Sequence, residues 1–292
     1  MKFTPRLPEK NVNVTPTSPL RDFFVLLTGL LAIVVGVYVL LGFAVDLIVP
    51  RISPATEQKL AGYFSNMWKS SASDSEKSQS VQKLLNTMQE GCIEIPYSLV
   101  VHVSENPLLN AVALPGGNIV IFSGLLEKLE SENELSFVLA HETGHFVNRD
   151  HLRGLGRLMI FMTISAVVFG TDSSVGNFLA QWLNITEMSF SRSQESKADK
   201  YALDVLNCVF GHVGGATDFF EKISKEELTG FMSHYLSTHP ESRKRITSLK
   251  EYGRLKGFSE VPVRDLPAGL KNDSETEAKG LNTEDRTQKA TD

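Results

Sequence analysis

From Phe23 to Val45 the chain reads FFVLLTGLLAIVVGVYVLLGFAV, 23 residues without a charge. No other feature restricts the fold so severely. Inside lipid every backbone amide of a single segment must be satisfied internally, and only a helix does so. At about 1.5 Å per residue such a helix matches roughly the 30 Å of a bilayer core. A membrane-spanning anchor is therefore expected over residues 23–45. A cleaved signal peptide, with Gly42 and Ala44 as small residues near a cleavage point, is the competing reading, but the run is longer than the apolar core of about 7–15 residues that such peptides carry. No cysteine closes the run for lipid attachment. Lys2, Arg6, Lys10 and Arg21 precede the span and only Arg51 and Lys59 follow it closely, so the positive-inside bias puts residues 1–22 in the cytoplasm and the bulk of the chain outside.

The remainder of the 292 residues suffices for a globular domain, and 42% apolar content is ordinary for one with a core. A net charge of −5, with no long Lys/Arg run, leaves no surface for tracking phosphates. Nucleic acid is thereby excluded as a partner. Cys92 and Cys208 are too few for a disulfide framework and lack CxxC spacing. They are either one disulfide or two buried thiols.

Along the chain, PATEQKLAGYFSNMWKSS and VQKLLNTMQEG read as two helices separated by a Ser-rich linker at 70–80. IEIPYSLVVHVSEN and NAVALPGGNIVIFSG alternate apolar and polar residues, the second around a Pro-Gly-Gly turn, and predict a small sheet of about three strands. Ser131 and Glu134 have capping-box spacing, so a helix is expected from about 132 to 148. The apolar stretch 158–170, LMIFMTISAVVFG, has a length that suits a buried or interfacial helix better than a second span. A last helical pattern, SRSQESKADKYALDVLNCVFG, ends at Gly211. Residues 259–292 are polar and charged, and are expected as a disordered tail.

Within the helix at 132–148 lies HETGH. Positions i and i+4 share a helix face, so His141 and His145 can offer ring nitrogens to one metal ion with Glu142 beside them. Two neutral imidazoles and a carboxylate suit Zn²⁺, with a fourth position open to water. Glu142 is then placed to take the proton of that water and pass it to the leaving amine. HExxH also occurs by chance on solvated helices, but ELSFVLAHETGH carries a strongly apolar opposite face, as a buried helix requires.

Two residues compete for the third ligand. His151 completes HExxHxxNxxH, one substitution from a pattern in which glycine breaks the helix so that a third histidine swings back. Glu195 lies on the later helix with Asp199 four residues on, where the acid could hold a ligand histidine through its second nitrogen. Residue spacing alone leaves both open.

The strings NAVALPGG with GLL, ELSFVLAHETGH, SRSQESKAD and STHPESRKRI, in that order over roughly residues 50–250, resemble the M48 peptidases, membrane-associated zinc metalloproteases of the gluzincin type. The resemblance implies an α+β fold: a mainly helical zincin-like metallopeptidase domain with a small β-sheet over residues 50–258, preceded by one transmembrane helix. It implies one Zn²⁺ per chain held by His141, His145 and Glu195, with Glu142 as catalytic base, Asp199 behind a ligand histidine and His151 a surface or helix-end residue. NAVALPGGNIVIF matches the strand beside the cleft, where an extended peptide can add to the sheet edge and where Asn110 and Ala111 would lie near the scissile bond. His239 falls at the family's His-Pro and is a candidate donor to the oxyanion; Arg243 or Arg245 could take that role or form ion pairs.

The function so implied is a membrane-anchored zinc endopeptidase cleaving misfolded or surplus membrane and envelope proteins, in a bacterial inner membrane with the domain on the periplasmic side. An inactive membrane-tethered chaperone or adaptor that binds extended polypeptides is the alternative; the intact ligand set speaks against it. The single apolar span argues against transferring the chemistry of the many-span prenyl-protein proteases. The stretch 158–170 falls between the zinc motifs, where it could serve as a lid.

Overall fold

The computed structural model describes residues 18–69, 72–73, 76–170, 190–226, 239, 242–267 and 270. Most of the cytoplasmic segment expected at 1–22, and residues 268, 269 and 271–292 of the expected tail, lie outside them. Helix α1 spans Pro19–Ile48. It outruns the uncharged stretch at both ends, taking Arg21 and Asp22 into its first turn and Asp46 into its last. None of its residues is buried, and it is long and apolar enough to cross a membrane. A 3₁₀ turn, Val49–Arg51, leads to α2, Pro54–Lys69, started by Ser53 Oγ accepting the amide of Thr56 at 3.1 Å.

The sheet has the order β1-β2-β4-β3, from Ala72–Ser73, Val100–Ser104, Ala111–Leu114 and Asn118–Phe122 as β1 to β4. Three full strands are as expected, with a two-residue strand added at one edge. The β3–β4 pair is an antiparallel hairpin and β2 runs parallel to β4. The hairpin turn needs glycine: Gly116 and Gly117 have φ of +80 and +83, and a Cβ on Gly116 would lie 2.5 Å from the Cβ of Ala61 on α2. Helix α3, Glu76–Gly91, covers the sheet. Its Gln82 accepts Val101 N at 2.7 Å and donates to Leu99 O at 3.0 Å, giving β2 hydrogen bonds that a strand would otherwise supply.

After the short α4, Ser123–Leu126, helix α5 occupies Glu132–Val147. Every residue from Asn133 to Phe146 is buried. The helix is covered on all sides, not only on the apolar face seen in its sequence, because α7 (Arg192–Phe210), β3 and α6 (Asp150–Phe169) pack around it. Leu85 and Met88 of α3, Ile119 and Ile121 of β4, Leu135 and Leu139 of α5 and Leu206 of α7 share one core. Burying side chains of this size contributes about 1.5–3 kcal/mol each. Helices α8, Asp218–Glu226, and α9, Ser242–Lys256, close the domain. Cys92, just past α3, and Cys208, on α7, form a disulfide, so of the two states open to this pair the bonded one is found.

Of the two placements expected for 158–170, buried or interfacial, burial is not found: Met159, Phe161, Met162, Val167 and Val168 on α6 are exposed. Helix α6 lies beside α1, with Gly156 so close that a Cβ would meet Val45 Cγ1 at 2.9 Å, and it too is long and apolar enough to cross a membrane. The segment expected as a tail from 259 begins instead as part of the domain. Glu132 N donates to Arg264 O at 3.0 Å and Arg264 N to Asn133 Oδ1 at 2.9 Å, while Leu266 and Leu270 join the core. Its composition is polar, but it supplies partners to the otherwise unpaired start of α5.

Candidate metal centre

The phase of α5 is set at its first residue, where Ser131 Oγ accepts Glu134 N at 3.2 Å. Glu134 sends its carboxylate to Glu130 N and Lys222 Nζ, at 3.0 and 2.8 Å, instead of back to Ser131. Half of the capping box read from the sequence therefore forms. The N-terminus of α7 carries a complete one, from Ser191 and Gln194. The two capped helices can approach because residue 144 is glycine: a Cβ there would stand 2.8 Å from Ala198 Cα. That contact brings the HETGH face of α5 against Glu195 and Asp199 of α7.

Four side chains converge. The Nε2 atoms of His141 and His145 are 3.2 Å apart, and Glu195 lies 3.6 Å from the first and 3.5 Å from the second. His239 Nδ1 is 3.0 Å from Glu195 Oε1 and 3.4 Å from His141 Nε2. All four ligand atoms fall within 4.8 Å of one another and all four residues are buried. Bonds of about 2.0–2.1 Å in a tetrahedron space the ligand atoms about 3.3 Å apart, so the set fits a Zn²⁺ ion. Lone pairs turned on one another without a cation would repel.

The other nitrogens of both histidines are held by carboxylates. His141 Nδ1 is 3.0 Å from Asp199 Oδ1, and His145 Nδ1 is 3.2 Å from Asp150 Oδ2. Each carboxylate favours a proton on Nδ1 and leaves the Nε2 lone pair facing the centre. Arg245, from α9, donates through Nε and Nη2 to Asp199 at 2.8 and 2.6 Å and places Nη1 2.7 Å from Glu195 Oε2. Of the roles open to it, Arg245 is thus found in the ion-pairing one. Its guanidinium also sits 4.4 Å over the Phe220 ring. Phe190 stacks on His145 with ring centroids 3.8 Å apart.

The electrostatics follow from burial and these partners. Burial pulls the pKa of His141 and His145 down, keeping them neutral. Burial pushes Glu195 the other way, but the charges of His239 and Arg245 outweigh it and hold the carboxyl well below its ordinary range. For His239 burial is likewise overcome, by Glu195, and the net shift is upward. Glu142 is raised, chiefly by burial, with His239 and His145 opposing. Its Oε2 is buried and has no hydrogen-bond partner among the described residues.

The remaining predicted residues divide. His239, expected as an oxyanion donor, has Nδ1 inside the cluster and Nε2 3.9 Å from Glu142 Oε1. His151 is a helix-end residue but not a surface one: it is fully buried, with Nε2 2.8 Å from Glu57 Oε1 and Nδ1 3.3 Å from His145 O. It faces away from the cluster because α6 starts in a new direction after Asn148. Asn110 and Ala111 are buried at β3, the sheet edge among the described residues, with Asn110 Oδ1 accepting Ala111 N at 3.0 Å. Residue spacing gave no sign of Asp150, Phe190 or Glu57.

A family model described as Peptidase family M48 matches residues 75–253. The mitochondrial metalloendopeptidase OMA1 of Schizosaccharomyces pombe is 32% identical over 156 residues, 52% of this chain and 45% of that protein. Its Arabidopsis thaliana namesake is 35% identical over 152 residues, 51% of this chain and 30% of the relative. The beta-barrel assembly-enhancing protease of Yersinia pestis is 26% identical over 153 residues, 48% and 30% of the two chains. The match spans less than half the length of each of these relatives.

Proposed function

Because the chain belongs to peptidase family M48, we propose that it is a membrane-anchored zinc metalloendopeptidase that hydrolyses misfolded or surplus membrane and envelope proteins. The observation that carries this reading is the convergence of His141, His145 and Glu195 beside the buried Glu142. His141, His145 and Glu195 would hold the metal, which when bound supplies a Lewis acid and makes a water acidic near neutral pH. Asp199 and Asp150 keep the two rings in the tautomer that binds. Glu142 accepts the proton of the attacking water and returns it to the leaving amine, a contribution of about 10²–10⁴ in rate. A carboxyl whose pKa is raised by burial suits the second half of that task, since it holds the proton long enough to deliver it. His239 stands at the same centre with its second nitrogen toward Glu142, within reach of the reacting groups.

An extended substrate adding to the β3 edge past Asn110 and Ala111 would be recognised through its main chain, so sequence preference would be loose. Helix α1 supplies the bilayer anchor. We place the domain on the outer, periplasmic side of a bacterial inner membrane, a reading supported by the positive residues before α1 and by the Cys92–Cys208 disulfide, a feature of oxidising compartments.

The test is zinc content and casein hydrolysis of the purified full chain beside Glu142→Gln and Glu195→Ala. The first should keep its metal and lose cleavage; the second should lose both. Undiminished cleavage by Glu142→Gln would overturn the mechanism, and a zinc-loaded wild type without peptidase activity would favour the chaperone alternative.

A further inference from the structure

Between the metal-binding helix and α6 the chain takes an unusual corner. Arg149 has φ +57, the sole positive value at a non-glycine residue among those described, and a side chain resists that conformation. The corner has a geometric result. It turns the first residues of α6 back onto α5, so that Asp150 Oδ2 meets His145 Nδ1 at 3.2 Å and His151 Nδ1 lies 3.3 Å from His145 O. Without the left-handed residue α5 would run on and Asp150 would point away from the ring.

Beside the corner's own bonds, Arg153 to Asn148 O and Asn148 Nδ2 to Gly144 O, the foot of α1 supplies contacts to it. The Arg149 guanidinium donates to Val49 O at 3.1 Å and to Ile52 O, carbonyls at the exit of α1. Arg153, one turn into α6, places Nη1 3.5 Å from Asp150 Oδ1 and Nε 3.5 Å from Asp46 Oδ1, in the last turn of α1. Arg157 adds two bonds to the same Asp46, at 3.0 and 3.1 Å. On the domain side Gln194 Nε2, from the residue before Glu195, donates to Asp150 Oδ1 at 2.8 Å. Asp150 thus joins three things: one metal-binding histidine, the helix that carries Glu195, and the foot of α1.

We propose that Asp150 is a positioning residue for His145, and that the foot of α1, through Asp46 with Arg153 and through the carbonyls gripped by Arg149, holds it in place. This rests on the metallopeptidase reading above. Metal affinity then depends on α1 being docked against α6, although no residue of α1 touches the metal centre among the described contacts. An acid behind a ligand histidine fixes ring orientation and strengthens the ligand, and its loss weakens metal binding by about 10–100-fold. Asp46 acts two contacts further out, through Arg153, so its effect should be smaller.

The experiment uses the full chain in detergent or nanodiscs. Zinc dissociation constants are measured by competition with a chromogenic chelator, and melting temperatures are measured on the metal-free proteins. Asp150→Asn should weaken zinc binding by about 10–100-fold, beyond any change in the metal-free melting temperature. Asp46→Asn should weaken it by several-fold, and Asp46→Glu should restore most of that loss. A purely structural role would lower the metal-free melting temperature and leave zinc affinity alone. Affinity within twofold of wild type for Asp150→Asn overturns the inference, and the same result for Asp46→Asn overturns its link to the anchor. If the wild type bound no zinc, the peptidase reading itself would fall and this inference with it.

Discussion

Replacing Arg245 by methionine separates the charge balance provided by the protein from that provided by an ion. Glu142, Asp150, Glu195 and Asp199 are all buried around the centre. Arg245 is itself 5% exposed and contacts two of them, at 2.6–2.8 Å. Methionine retains the apolar reach over Phe220 and removes the charge. Asp199 is then left with His141 Nδ1, and Glu195 with His239 and the Nε2 atoms of His141 and His145, as their described partners. Breaking a buried ion pair by deleting one member costs about 3–5 kcal/mol. At about 2–4 °C per kcal/mol for a domain of this size, the metal-free variant should melt roughly 6–20 °C below the metal-free wild type. Bound Zn²⁺ restores opposite charge to Glu195, so the gap between the zinc-loaded proteins should shrink by about half or more. Calorimetry with and without chelator measures both gaps. Metal-free melts that agree within about 2 °C, or a gap unaffected by zinc, would refute the view that Arg245 stands in for part of the ion's charge.

Two further outcomes are expected. His239→Ala should still bind one zinc per chain, because His141, His145 and Glu195 remain, whereas His145→Ala should not; equal loss of metal in both would make His239 an obligatory ligand. For Glu57, burial tends to raise the pKa, but its bonds to His151, Gly116 N and Tyr97 outweigh this and hold it below the ordinary value of 4.5. A depressed carboxyl contributes stability that is complete above its unfolded pKa and is lost as pH falls through the folded one. The melting-temperature difference between wild type and Glu57→Gln should therefore be widest above about pH 5 and narrow in acid. A difference constant from about pH 3 to 7 would show that Glu57 contributes packing and not charge.

Much of this protein is written in local pattern. The span of α1, the hairpin with its Pro-Gly-Gly turn, the cap at Ser131 and the pairing of His141 with His145 depend on neighbours within a few residues, where helical and strand periodicity act directly. Glu195 and Asp199 could be matched to each other by their spacing of one helical turn, but choosing Glu195 over His151 took the resemblance, since both spacings were sterically admissible.

Tertiary structure decided the rest. Arg245 reaches Asp199 across 46 residues and His151 reaches Glu57 across 94, and no periodicity extends so far. Asp150 is only five residues from His145, yet it was equally hidden, because its approach requires a left-handed backbone at an arginine. At that arginine the guanidinium bonds carbonyls at the end of α1, partners that only the folded chain brings near. Short-range sterics thus determined which helices and strands form. Which polar groups meet was determined by packing, because a buried charge finds its partner wherever the folded chain happens to supply one.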